Sequence, residues 1–223
     1  MKHTQAPREF IEEYYVADLD ERDSPESKWF LSRLKQVKGE KVLSLGCGPN
    51  LYDDALFFNE IPKTLIGVDI NKNNIEFLKS SNNLELVKCY RALQDKGTEI
   101  KLRADNILRF VPKWENYFDS VYAMGVLGML NKHDMENMLQ IVKRYLKSPG
   151  IFLDIDWTDC RLSKEKYVER ESYDWYSDQG TDILEIENLM KNAGFNIQMN
   201  EIYEVRQPQE YGWGKIYSIC ATK

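Results

Sequence analysis

The sequence predicts a doubly wound α/β fold, in which helices cover both faces of a mostly parallel sheet. Two short apolar runs, over residues 42–45 and 65–68, indicate strands that are buried on both faces. The glycine turn Gly46-Cys47-Gly48 follows the first run, and Asp69 follows the second, 21 positions after Gly48. In this fold class an acid about 20 residues beyond the glycine turn accepts hydrogen bonds from a ribose. The unit therefore predicts a nucleoside site beyond the carboxyl ends of the strands.

The turn differs from that of dinucleotide-binding proteins, which need the spacing G-x-G-x-x-G. The third glycine position holds Leu51, and no Lys or Arg follows the turn closely enough to meet a pyrophosphate. The run LSLGCGP resembles instead the first motif of class I S-adenosylmethionine (SAM) methyltransferases. Gly46 and Gly48 are therefore candidate cofactor contacts. The alternative is a tight strand-to-helix turn that binds no ligand.

Length and charge exclude several classes of protein. The 223 residues suit one α/β domain with a full core, and we expect a single domain over residues 1–223. A net charge of −6 argues against nucleic acid as the main partner. All apolar stretches fall short of the roughly 20 residues of a membrane span, and the N-terminus lacks the apolar core of a signal peptide. Four scattered cysteines and two histidines argue against a metal site. We expect a cytoplasmic protein that acts on a small molecule, with the oligomeric state left open.

Two helices are predicted before the first strand, in a cap over about residues 8–37. Residues 9–16 are helix-compatible, with Phe10 and Tyr14 four positions apart. Ser24 is a suitable cap for the second helix, with a proline in its first turn. Packing on the sheet edge explains Trp29 and its neighbours. The pair Tyr14-Tyr15 has a second interpretation, because tyrosines beside a ligand offer both a ring face and a hydroxyl.

Three runs in this part of the chain, PREFIEEYY, SPESKWFLSRLK and LSLGCGPNLYDD, carry a closer resemblance. In this order they are similar to the opening of the nicotinamide, phenylethanolamine and thioether methyltransferase family. The resemblance is strongest over residues 7–74 and weak after residue 156. It implies a Rossmann-like class I methyltransferase: a seven-stranded, mostly parallel sheet with an antiparallel last strand and helices on both faces. It also implies that the N-terminal aromatics close over SAM and substrate.

The resemblance assigns roles by position. Tyr14 and Tyr15 match the tyrosine pair of the family, whereas Phe10 stands where the family commonly has a tyrosine and so lacks its hydroxyl. Asn50 and Tyr52 fall where a threonine or serine and a tyrosine of the family meet the methionine end of SAM. Asp69 matches the ribose acid, and Asn74 a second polar contact there. The predicted cofactor contacts outside the turn glycines are Phe10, Tyr15, Asn50, Tyr52, Asp69, Ile70, Asn74, Asp105, Asn106 and Ala123.

The middle of the chain continues the α/β pattern. Asn71 is a plausible cap for a helix over residues 72–79, and residues 84–96 indicate a helical or irregular excursion. A short third strand over residues 100–102 precedes Asp105 and Asn106. By resemblance these two residues meet the adenine, and the alternative is that Asp105 only caps a helical turn.

The second half supplies the remaining elements. The segment after the fourth strand lacks an Asn-Pro-Pro-Tyr motif, which argues against DNA adenine methylation. His133 is expected to cap a helix or to lie on the surface. The predicted elements are strands over residues 118–123, 151–157, 196–206 and 214–221, the last two antiparallel, and helices over residues 134–146 and 183–194.

Two acids and an aromatic insert are candidates for substrate binding. Asp154 and Asp156 alternate with apolar residues and share one face of the fifth strand. Because a buried unpaired carboxylate is costly, at least one is expected at the mouth of a pocket. By resemblance Asp156 orients an amine or amide. The insert over about residues 160–180 includes Tyr176 and suggests a lid whose rings surround a cation, with a helix that covers the sheet as the alternative.

These observations predict an enzyme that transfers the methyl group of SAM to a small amine, pyridine nitrogen or thioether. Such in-line displacement needs alignment and exclusion of water rather than a strong base. Tyr14, Asp156 and Tyr176 are the candidate catalytic residues. One alternative cyclises SAM to azetidine-2-carboxylate with release of methylthioadenosine, or transfers its aminocarboxypropyl group. A third class is a non-catalytic SAM-binding module.

Overall fold

The computed structural model describes residues 7–160, 182–204 and 213–223 of the chain. Within these residues the strands form one sheet in the order β3-β2-β1-β4-β5-β7-β6. β1 to β5 run parallel, and β7 pairs antiparallel with both β5 and β6. This arrangement confirms the predicted fold class. The strands are β1 (Lys41–Leu45), β2 (Thr64–Asp69), β3 (Glu99–Ala104), β4 (Phe118–Met124), β5 (Leu146–Cys160), β6 (Asn196–Glu204) and β7 (Trp213–Thr222).

The helices fall between these strands and before the first of them. The α-helices are α1 (Arg8–Asp20), α2 (Pro25–Arg33), α3 (Leu51–Ala55), α4 (Lys72–Ser80), α5 (Leu84–Asp95), α6 (Lys132–Tyr145) and α7 (Ile183–Asn192). Short 3₁₀ helices cover Glu21–Asp23, Leu34–Gln36, Pro112–Trp114 and Leu127–Met129. No α-helix among the described residues is long and apolar enough to cross a membrane.

Side-chain caps explain where several helices begin. Ser24 accepts a hydrogen bond from the Ser27 N–H at 3.1 Å, and Asn71 accepts one from Asn73 at 3.0 Å, both as predicted. The ambiguous stretch after residue 83 forms the regular helix α5, which Asn83 caps. α6 begins at Lys132, two residues before the predicted start, because Asn131 accepts from the N–H of Asp134.

Side chains alternate along each strand, so the sheet carries a core on each face. α6 and α7 cover one face, and Val121, Phe152 and Ile219 are fully buried beneath them. The segments before β1 and after β1 and β2 cover the other face, where Val42 and Leu153 are fully buried. Burial on both faces accounts for the near-continuous apolar runs of the central strands.

The N-terminal helices pack on this second face. In α1, Tyr15 is fully buried, and its ring lies 5.5 Å from that of Phe77 in α4. In α2, the Trp29 ring lies 5.5 Å from the Tyr203 ring, and Phe30 lies 5.8 Å from Trp157. The segment before β1 is therefore fixed to the sheet by aromatic contacts.

Candidate functional site

The glycine turn lies between β1 and α3, at the carboxyl end of β1. Gly46 and Gly48 have φ angles of +63° and +52°, which L side chains rarely adopt. A Cβ at Gly46 would also lie 2.5 Å from Cγ2 of Val126, in the segment after β4. A Cβ at Gly48 would meet no atom of the described part of the chain within 4 Å. The turn therefore packs against the protein at Gly46 and is open at Gly48.

Asp69 joins this turn to the start of α4. Its Oδ2 accepts hydrogen bonds from the Gly48 N–H at 2.8 Å and from Asn74 Nδ2 at 3.1 Å. Its Oδ1 accepts from the Asn71 N–H at 2.7 Å. Burial raises the pKa of Asp69, and the three hydrogen bonds oppose that rise. The structure thus brings together Gly48, Asp69 and Asn74, three predicted cofactor contacts.

Asp105 and Asn106 follow β3 beside this carboxylate. The Asp105 N–H donates to the backbone oxygen of Asp69 at 3.0 Å, and the Asn106 N–H donates to Asp105 Oδ1 at 2.9 Å. Arg103 forms an ion pair with Asp105 at 2.6 Å. A cleft at this edge of the sheet is lined by Leu45, Val68, Asp105, Asn106, Ile107, Arg109, Val111, Trp114 and Tyr145.

Ile70 and Ala123, two predicted cofactor contacts, differ in their exposure to solvent. Ile70 follows β2 and is 42% exposed. Ala123 in β4 is fully buried and lies between Leu45 and Asp154 in the strand register. Ile70 therefore lies at the surface of the site, whereas Ala123 contributes to the sheet beneath it.

The predicted N-terminal aromatics divide into an exposed and a buried group. Phe10 and Tyr14 stack with ring centroids 6.4 Å apart, and Tyr14 is 47% exposed. Tyr15 is fully buried and donates its hydroxyl to Asp53 Oδ2 at 2.7 Å. Among these three aromatic residues, Tyr14 is therefore exposed, Phe10 is partly exposed and Tyr15 is buried.

Asn50 and Tyr52, predicted at the methionine end of SAM, lie around the start of α3. Asn50 precedes the helix and is partly exposed, and its backbone oxygen accepts from the Asp54 N–H at 2.9 Å. Tyr52 is 2% exposed and donates its hydroxyl to the Leu78 backbone oxygen at 3.0 Å. In this conformation the Tyr52 hydroxyl ties α3 to α4.

Asp154 and Asp156 share one face of β5, as predicted, but both are buried. They are 0% and 4% exposed, which differs from the expectation that one lies at a pocket mouth. Backbone donors make the burial of Asp156 tolerable, because its oxygens accept from Gly128 N–H and Trp157 N–H at 2.7 Å each. Burial nevertheless raises the pKa of Asp156 to about 6. Burial, together with the nearby charge of Asp156, raises the pKa of Asp154 well above its usual range.

Tyr176 and most of the predicted lid over about residues 160–180 lie outside the described residues. Within the described part of the chain, no group of three or more His, Cys, Asp and Glu side chains is placed to hold a metal ion.

Sequence reasoning missed three features of the site. The Asn71 N–H and the Val126 side chain contribute through backbone position and packing, which residue identity does not reveal. The ion pair between Arg103 and Asp105 has a sequence signal, since residues two positions apart at a strand end share one face.

Comparisons with known proteins extend this description. A family model described as a methyltransferase domain matches residues 36–211 of the chain. A comparison with curated protein sequences gave no match.

Many solved structures share the fold at low sequence identity. The N-methyltransferase NodS from Bradyrhizobium japonicum WM9, in complex with S-adenosylhomocysteine, is 14% identical with a TM-score of 0.63, covering 92% of this chain and 90% of that one. Geranyl diphosphate C-methyltransferase from Streptomyces coelicolor A3(2) is 13% identical with a TM-score of 0.60, covering 90% and 77%. Phosphoethanolamine N-methyltransferase 2 from Haemonchus contortus is 15% identical with a TM-score of 0.61, covering 90% of this chain and 52% of that one.

Proposed function

We infer the function from the family, since this chain belongs to the methyltransferase domain family. We propose that it transfers the methyl group of SAM to a nitrogen or sulfur atom of a small molecule. The acceptor classes are an amine, a pyridine nitrogen and a thioether, as in the nicotinamide, phenylethanolamine and thioether methyltransferases that its N-terminal half resembles.

The observation that carries this proposal is the buried carboxylate of Asp69 beside the open glycine turn. Asp69 is fixed by hydrogen bonds from Gly48, Asn71 and Asn74, which leave one lone-pair site, on Oδ1, to accept a hydrogen bond from a ribose hydroxyl. Among the described residues no atom lies within 4 Å of a Cβ at Gly48, which leaves room for a ligand to approach the backbone. This arrangement fits a nucleoside.

The proposal assigns the other end of the nucleoside to the loop after β3. The Asp105 carboxylate would meet the exocyclic amine of adenine, and the Asn106 N–H would exchange its present hydrogen bond to Asp105 for one to a ring nitrogen. Ile70, exposed at the end of β2, would cover one face of the base. Asn50 and Tyr52 would lie near the methionine end, and Ala123 would support the sulfonium from beneath.

Bound SAM would supply an activated methyl group on a sulfonium. The residues of this chain would then align the acceptor with that group and exclude water, which is the main requirement of an in-line displacement. Phe10 and Tyr14 offer ring faces for this, and the lid with Tyr176 is proposed to close the opposite side. Asp156 is proposed to orient the acceptor, and a neutral nitrogen or sulfur nucleophile needs no strong base.

The similar structures differ in the atom that they methylate. NodS and the Haemonchus enzyme are named N-methyltransferases, whereas the Streptomyces enzyme is a C-methyltransferase. The comparisons offer no support for the alternative in which SAM is cyclised or loses its aminocarboxypropyl group.

A product assay tests the proposal. Purified protein is incubated with SAM and a panel of amines, pyridines and thioethers, and the nucleoside product is identified by mass spectrometry. We expect S-adenosylhomocysteine to appear only when an acceptor is present. Release of methylthioadenosine from SAM alone at catalytic rates would contradict methyl transfer, and SAM that is bound but never consumed with any acceptor would favour a binding module.

A further inference from the structure

A buried carboxylate outside the proposed site connects three segments of the chain. Asp53, in α3, is 2% exposed. Its Oδ2 accepts from the Tyr15 hydroxyl at 2.7 Å, and its Oδ1 accepts from Cys89 Sγ at 2.8 Å. Arg22 Nη2 lies 2.8 Å from the same Oδ1. We call these four side chains the Asp53 cluster.

The positive charge of Arg22 and the protons of Tyr15 and Cys89 stabilise the buried Asp53 carboxylate. A buried carboxylate is costly unless a positive charge and hydrogen-bond donors compensate it, and Arg22 supplies that charge. Burial and contact with Asp53 raise the pKa of the Tyr15 hydroxyl and raise the pKa of the Cys89 thiol to about 12. Both groups therefore keep the protons that they donate to Asp53.

The Asp53 cluster lies beside the helices that begin at the proposed cofactor site. Asp53 lies five residues after Gly48, in the helix that begins at the glycine turn. The Tyr15 ring contacts Phe77 in α4, the helix that begins just after Asp69. α1 is thus fixed to both helices that start at the proposed cofactor site.

Two of the three partners of Asp53 come from the N-terminal segment. Tyr15 lies in α1, and Arg22 lies in the 3₁₀ helix that follows it, so the carboxylate holds the segment at two points seven residues apart. Cys89 belongs to α5, which is remote from α1 along the chain. The stacked rings of Phe10 and Tyr14 lie on the N-terminal part of the helix that is held in this way.

We propose that Asp53 is a positioning residue that holds α1, through Tyr15 and Arg22, where Phe10 and Tyr14 can close over the bound cofactor. Asp53 itself does not contact the cofactor in this proposal, and Tyr15 acts through its hydrogen bond to Asp53. The effect on the cofactor rests on the proposed function, whereas the effect on α1 does not.

The test compares three single variants that each remove one partner of the same carboxylate. Tyr15→Phe and Arg22→Gln remove the contacts from the N-terminal segment, and Cys89→Ala removes the contact from α5 and serves as the matched control. All three leave Asp53 in place, which avoids the risk that loss of the carboxylate prevents folding. Tyr15 is also a predicted cofactor contact, whereas Arg22 is not. Weaker cofactor binding in Arg22→Gln would therefore reflect the position of α1 and not the loss of a direct contact.

Amide hydrogen exchange across residues 8–22 is measured first, without ligand. We expect Tyr15→Phe and Arg22→Gln to exchange about five- to tenfold faster there, in keeping with the loss of one hydrogen bond or ion pair to a buried charge. Cys89→Ala should leave this segment at the wild-type rate. Unchanged exchange in the first two variants, or equal acceleration in all three, would overturn the proposal.

Titration calorimetry with S-adenosylhomocysteine is the second readout. We expect Tyr15→Phe and Arg22→Gln to bind S-adenosylhomocysteine several-fold more weakly than wild type. Cys89→Ala should bind it as tightly as wild type, even if its melting temperature falls as much as those of the other two variants. Faster exchange with unchanged affinity would refute the positioning role. A wild-type protein that binds no S-adenosylhomocysteine would refute the proposed function instead, and the exchange rates would still decide whether Asp53 holds α1.

Discussion

At the scale of single residues, Asp156 combines burial with two backbone hydrogen bonds. Its oxygens accept from the N–H groups of Gly128 and Trp157, yet burial raises its pKa from 3.8 to about 6. Asp154, two residues earlier on the same face, is fully buried and also has a raised pKa. The native protein therefore holds protons on this face that the unfolded chain releases at lower pH.

This difference predicts how stability depends on pH. Between pH 3.8 and about 6 the native state binds more protons at Asp156 than the unfolded state does. The free energy of unfolding must therefore fall as the pH rises through this interval. Urea denaturation measures the free energy of unfolding at each pH. Between pH 4 and 6.5 we expect this free energy to fall by about 1–2 kcal/mol more in wild type than in Asp156→Asn. Parallel pH dependence in the two proteins would contradict the raised pKa.

Residue identity and spacing predicted part of the site and missed the rest for a physical reason. Asp69 and Asn74 could be predicted because a strand end and a helix start fix their relative positions. The contact between Tyr15 and Asp53 joins residues 38 positions apart and could not be predicted. It depends on how α1 packs across α3 and α4, which no local pattern encodes.

At the scale of elements, the turn after β1 is shaped by both backbone conformation and packing. Gly46 has a positive φ, and a Cβ there would lie 2.5 Å from Cγ2 of Val126. Gly97, between α5 and β3, has a φ of +81°, and a Cβ added there would meet no atom of residues 7–160, 182–204 and 213–223 within 4 Å. The two glycines share the same backbone cost of substitution and differ in steric crowding.

Alanine at these two positions should therefore have unequal effects. Gly97→Ala should cost about 1–2 kcal/mol of stability, from the left-handed backbone alone. Gly46→Ala should cost about 1–3 kcal/mol more, because the new methyl group displaces Val126. Urea denaturation of both variants measures the difference. Equal losses would show that the turn does not pack against the segment after β4 as described.

The elements themselves were predicted with different success. The apolar runs of β1, β2 and β4 indicate buried strands because both faces of each strand are covered. α5 remained ambiguous, and its start depends on one side chain, since Asn83 accepts from the N–H groups of Glu85 and Leu86. The start of α6 differs from the predicted one by two residues, because the cap Asn131 decides where this helix begins.

At the scale of the whole molecule, the strand order places the proposed site. β1 lies between β2 and β4 in the sheet. From β1 the strands are added on one side as β2 and β3, and the chain then crosses to the other side of β1, where β4 and β5 follow. Ligands of open α/β sheets bind at this switch, beyond the carboxyl ends of the strands. The glycine turn, Asp69, Asp105 and the segment after β4 all follow carboxyl ends at this edge. The helices before β1 are an addition that the strand pattern does not explain, and the Asp53 cluster fixes one of them.

The most direct measurement is the affinity of the protein for S-adenosylhomocysteine by titration calorimetry, in wild type, Asp69→Ala and Thr98→Val. Thr98→Val is the control, because it removes a buried hydrogen bond, from Thr98 Oγ1 to the Pro62 backbone oxygen, next to the amino end of β3. We expect wild type and Thr98→Val to bind equally, and Asp69→Ala to lose at least about tenfold in affinity, as expected for the loss of a charge-assisted hydrogen bond to a ribose. Unchanged affinity in Asp69→Ala would contradict a cofactor site at the end of β2.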